Sequence, residues 1–149
     1  MDPELLFSIC NGLVIPGWLL IAILPRSSWA TSLIASVVIP GLLAVVYLLL
    51  IVSNFGSGEG DFTSLAGVAS LFSNPWVLTA GWIHYLAFDL FIGSWEVRDA
   101  QRLGIRHAYV LPCLLLTFLL GPIGLLMYLG LRSVSRGSLV LNEVRVGVS

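Results

Sequence analysis

Four runs of this sequence are each long and apolar enough to cross a lipid bilayer, and nothing else constrains its fold as strongly. A spanning helix needs about 20 consecutive apolar residues, and the stretches 4–24, 28–52, 75–95 and 108–131 supply them. Composition agrees. Charged residues make up 10% of the 149 and apolar residues 58%, where a soluble domain carries roughly 25% charged. With a mean hydropathy of +0.99, the chain has no polar coat for a soluble fold. It predicts an all-α, polytopic membrane protein: a four-transmembrane-helix bundle over 1–132, with a short C-terminal tail over 133–149.

The punctuation between runs supports this division. Pro25-Arg26-Ser27-Ser28 is a tight connection, and the glycine-rich acidic segment 53–61 is a flexible one. The apolar stretch from Phe62 to Phe72 is too short to span and reads as interfacial. Asn74-Pro75 has the form of an N-cap followed by proline at the first helical position. The third helix is expected to run past the membrane surface as far as Leu103, with Gly104 as its stop. Trp29, Trp76, Trp95, Tyr109 and Tyr128 fall near span ends, where aromatic belts form. Val14-Ile15-Pro16-Gly17 recurs as Val38-Ile39-Pro40-Gly41, which predicts proline kinks in helices 1 and 2. Such a repeat also occurs in broken-helix transporters, although proline and glycine are common in membrane helices generally.

Charge excludes one large class. Seven Arg, no Lys and eight acidic residues provide no basic face for phosphate backbones, so nucleic-acid binding is set aside. With an even number of spans the arginines divide four to three between the two sides, and the positive-inside rule barely decides. The weak preference is for a cytoplasmic Arg98–Arg106 loop. Cys10 and Cys113 sit in apolar runs, where free cysteine behaves as a small hydrophobe. The N-terminus has neither the basic start of a signal peptide nor the character of a transit peptide, so the first run is expected to be retained. The expected setting is a bacterial inner membrane or a thylakoid-type membrane.

Small and polar residues at helical steps mark inward faces: Cys113, Thr117, Gly121 and Gly124; Ser32, Ser36 and Pro40; Ser8, Asn11 and Gly12. Most serve close packing in lipid. Two residues are too costly for that. Asp89 within a span costs about 2.5–3.5 kcal/mol on insertion scales, and His84 lies near mid-bilayer. Each is either a satisfied polar contact or a functional group. Five positions apart, they differ by about 140° around the helix, and are expected to line two sides of one cavity. A second polar set, Glu96, Asp99, Arg102, Arg106 and His107, reads as an interfacial salt-bridge network. His84 and Asp99 are about 22 Å apart along a continuous helix, so no shared metal site is expected. The common hydrolase, nucleotide, zinc-protease and thiol-redox motifs are absent from the sequence.

The string Trp82-Ile83-His84-x4-Asp89-Leu90-Phe91, followed by Asp99, Arg106-His107 and Pro122-x-Gly124, resembles the abscisic-acid-deficient-4-like membrane proteins. Plant members of that family are associated with neoxanthin synthesis; Trp95 and Glu96 lie outside the plant pattern. The resemblance implies a carotenoid- or isoprenoid-linked membrane role. A redox-neutral isomerisation of an epoxy-carotenoid needs an acid and a base, and a buried His and Asp suit both. His84 and Asp89 are therefore the candidate catalytic pair, Trp82, Phe88 and Phe91 the candidate substrate contacts, and Asp99, Arg106 and His107 a secondary polar cluster. Neither metal nor cofactor is expected; the partners are the bilayer and a carotenoid or other isoprenoid. The rival readings are a non-catalytic scaffold or pigment-binding subunit, and a small proton or ion carrier using Asp89.

Overall fold

The computed structural model describes residues 2–54 and 60–136, so most of the expected C-terminal tail lies outside the described residues. Three helices are long and apolar enough to cross a membrane. The first, α1, is Pro3–Ile23. The second long helix, Trp29–Asn54, is π-helical over Trp29–Val38 and α-helical as α2, Ile39–Asn54. A short α3, Leu65–Phe72, follows, with Ser64 as its side-chain cap. The third long helix, α4, is Pro75–Arg102. Among the described residues the regular structure is entirely helical.

Helix starts and stops follow local chemistry. Asn74 accepts a hydrogen bond from the Trp76 amide at 2.9 Å, and Pro75 opens α4 because its missing N–H costs nothing there. α4 ends at Leu103–Gly104, Gly104 having φ 67°. The two prolines expected to kink their helices sit in different windings. Pro16 lies inside an uninterrupted α1, and Pro40 is approached through the π-helical stretch. There Ser36 Oγ reaches back five residues to Thr31 O at 2.6 Å, and the wider turn directs polar groups at α4.

The fourth apolar run departs from the expected single span. It is divided at Gly121 into α5, His107–Leu120, and α6, Pro122–Arg136. Gly121 has φ 48°, ψ −98°, a conformation that side chains disfavour. Pro122 then lacks the N–H that would continue the α5 ladder. The chain doubles back: a Cβ on Gly124 would stand 2.0 Å from the Thr117 amide nitrogen. In a straight helix those residues would be about 10 Å apart. Each arm is only about 21–22 Å long, short of the roughly 30 Å hydrocarbon core. The small residues of this run permit the fold-back; Cys113, Thr117, Gly121 and Gly124 are all buried.

α4 is the hub. It packs against α1, the second long helix and the α5–α6 hairpin, and Ile83, Leu90 and Val97 are fully buried along it. Cys10 and Cys113 are free and buried.

Candidate functional site

α4 presents three functional faces. The face toward α1 carries Trp82, whose indole donates to Asn11 Oδ1 at 3.1 Å and packs on Phe7 and Tyr85. The second face looks toward the second long helix. It carries Val77, Gly81, His84, Phe88 and Phe91, spaced 4, 3, 4 and 3 residues apart. Opposite them stand Val37, Pro40, Ala44, Tyr47 and Ile51 at steps of 3, 4, 3 and 4. Two cavities of about 390 and 240 Å³ lie between the stripes, the first reaching Phe88 and Phe91 and the second His84. The imidazole of His84 stacks on Phe88 at 4.5 Å and tilts against Tyr47 at 5.8 Å. The α4 stripe from Val77 to Phe91 is about 21 Å long, and Phe62, Leu71 and Phe72 complete the walls of the second cavity.

The third face meets the hairpin and carries the carboxylates. Asp89, Glu96 and Asp99 are separated by seven and three residues, so they share one side of α4. Asp89 lies against the Gly121 turn, where a glycine Cβ would meet its Oδ1 at 3.0 Å. Its Oδ2 is buried with no hydrogen-bond partner. Glu96 is wholly buried; Thr117 donates to its Oε1 at 3.0 Å, and Oε2 has no partner. Asp99 is saturated by contrast. Tyr128 and Arg132 both donate to Oδ2, at 2.7 and 2.9 Å, and Arg102 pairs with Oδ1.

His84 and Asp89 are therefore not brought together. One belongs to the groove on the second long helix, the other to the hairpin seam. Trp82 lies apart from Phe88 and Phe91, on the α1 face. The secondary cluster also divides: Asp99 joins the hairpin, His107 Nε2 lies 2.9 Å from Ala22 O, and Arg106 lines an interfacial cavity with Arg26. Arg98 spans from α4 to the π-helical stretch, donating to Thr31 O at 3.0 Å and to Ser36 Oγ. Glu96 was given little weight by the sequence reading; its sevenfold step from Asp89 was the available signal. Among the described residues no three of His, Cys, Asp and Glu gather as a metal site.

A family model described as ABA DEFICIENT 4-like matches residues 5–128. The chain belongs to the ABA4-like family. The match covers all three long helices, α5, and α6 as far as Tyr128, so the groove, the carboxylate seam and the hairpin turn are inside it. No curated protein and no solved structure matches the chain. The ABA4-like family's link to neoxanthin synthesis points to a carotenoid-related membrane protein.

Proposed function

We propose that this ABA4-like protein receives a long polyene, a carotenoid or related isoprenoid, from within the bilayer into the groove between α4 and the second long helix. One observation carries the reading: two facing stripes of matched spacing bear two mainly apolar cavities along about 21 Å of α4, with His84 lining the second. A polyene is rigid and apolar, so it loses little entropy on lying in such a groove and fits a site lined by aromatic rings. Phe88 and Phe91 would stack on it, with the His84 imidazole and the Tyr47 hydroxyl as polar groups at its face. Trp82 would act from the α1 side, by holding Asn11.

Two roles remain for the polar groups. In the binding role His84 orients an oxygenated end group. In the isomerase role His84 and Asp89 serve as acid and base in a redox-neutral reaction; Asp89's unpartnered buried oxygen favours it, and the separation of the two side chains favours the binding role. Filling the groove tests the shared part. Ala44→Trp changes an exposed position on the groove wall. Expressed in a carotenogenic host, the parent should co-purify with pigment and Ala44→Trp should lose it at equal membrane abundance. Pigment retained by the variant would overturn the groove as the binding site.

A further inference from the structure

The hairpin changes the count of charges on the two ends of the molecule. With three crossings and a fold-back, the 24–28 connection, the α4–α5 turn and the end of α6 all lie at one end. Arg26, Arg98, Arg102, Arg106 and Arg132 lie toward that end, and Arg136 closes α6 there. At this end a cavity of about 430 Å³ is lined by Arg26, Arg106 and His107, with Pro25, Gln101 and Gly104 completing its walls. Arg26 and Arg106 are exposed and form no ion pair among the described residues. No carboxylate lines the cavity, and Asp99 is already held by Arg102, Arg132 and Tyr128. The walls are tied together: Gln101 donates to Pro25 O, and His107 meets Ala22 O.

From this we infer that the cavity binds the phosphate group of an anionic lipid. Two guanidiniums without counter-ions match a phosphate by charge and by paired N–H donors. Depth favours a lipid over a free anion. Trp29 and Tyr109, 54% and 57% exposed, flank the cavity in sequence on its two sides and mark headgroup level. Ile23 and Leu24, immediately before Pro25, are exposed apolar residues along which acyl chains can run. Basic pockets between helices at this depth are the recognised form of anionic headgroup sites. The site is separate from the groove proposed for a polyene and does not depend on that reading.

The test uses the full chain, delipidated in detergent and reconstituted into nanodiscs of phosphatidylcholine with or without phosphatidylglycerol. Native mass spectrometry should find one tightly held phosphatidylglycerol on the parent, and its thermal midpoint should rise over phosphatidylcholine alone. The Arg26→Gln/Arg106→Gln double variant should bind that lipid about thirtyfold more weakly, at about 1 kcal/mol per arginine. The Arg26→Lys/Arg106→Lys variant should retain part of the binding, which separates charge from misfolding. Equal protection by millimolar inorganic phosphate in detergent would reassign the site to a free anion. Undiminished phosphatidylglycerol binding by the glutamine variant, or no preference over phosphatidylcholine, would overturn the proposal.

Discussion

The three carboxylates on α4 differ in how completely their neighbours satisfy them, and that difference sets what each can do. Asp99 accepts from a tyrosine and two arginines, and Arg132, whose side chain is 3% exposed, depends on it. Asp99→Asn removes the carboxylate that Arg132, Arg102 and Tyr128 share and should cost about 3 kcal/mol, read as a lowered thermal midpoint in detergent. Arg102→Gln should cost under about 1 kcal/mol, because the Arg102 side chain is 34% exposed. Asp89 and Glu96 each keep a buried oxygen unbonded, an expensive arrangement for a residue that only joins helices. Asp89→Asn preserves shape, His84→Gln keeps a hydrogen-bonding group while losing the ring stacked on Phe88, and both remove proton transfer. Both should fold to normal abundance, and loss of pigment conversion in a complemented deletion strain is the result the isomerase role requires. Full rescue by both would leave the binding role alone.

Among the elements, the hairpin is the one most dependent on single atoms. Gly121 carries a backbone conformation that only glycine adopts readily, and Gly124 lets α6 close on the α5 backbone at Thr117. Gly124→Leu has no room to relax, since its Cβ would meet main-chain atoms. It should open the hairpin and separate Tyr128 and Arg132 from Asp99. Trapping of Trp95→Cys with Tyr128→Cys by a short bifunctional thiol reagent, at a pair whose rings meet edge-on at 5.4 Å and in a background lacking Cys10 and Cys113, should succeed in the parent and fail when Gly124→Leu is added. Trapping that persists would mean that the seam, not the turn, holds the hairpin. The π-helical stretch has a comparable local origin: it precedes a proline that cannot donate, and Arg98 on α4 donates to Ser36 Oγ and Thr31 O.

At the scale of the molecule, three helices able to span a membrane put the two ends of the described bundle on opposite sides and the described arginines toward one of them. The positive-inside rule, nearly balanced for four spans, now predicts one orientation: the 24–28 connection, the α4–α5 turn and the end of α6 are expected to face the compartment of synthesis. Single cysteines at Ser28, Ser73 and Ser135, all exposed, test this with a membrane-impermeant thiol reagent on intact cells. Ser73→Cys should label from outside, with Ser28→Cys and Ser135→Cys reacting only after permeabilisation. Labelling of Ser135→Cys together with Ser73→Cys would restore a fourth span.

Long apolar runs, the N-cap at Asn74, the stop at Gly104 and the small-residue stripe through Thr117 and Gly124 were all legible from the sequence. Each depends on neighbours within a few positions, or on a period that one helix imposes. The ABA4-like string from Trp82 to Phe91 was equally local. What α4 shows to each neighbour was not. A period of 3.6 residues says that His84 and Asp89 point about 140° apart, but it cannot say which helix stands at either angle. Only packing put one against Tyr47 and the other against Gly121. The fold-back was hidden for the same reason: 24 residues satisfy the length of a span, and hydropathy is blind to a turn whose backbone groups are bonded within the hairpin itself. Tertiary structure decided that turn, and with it the side on which every described arginine stands.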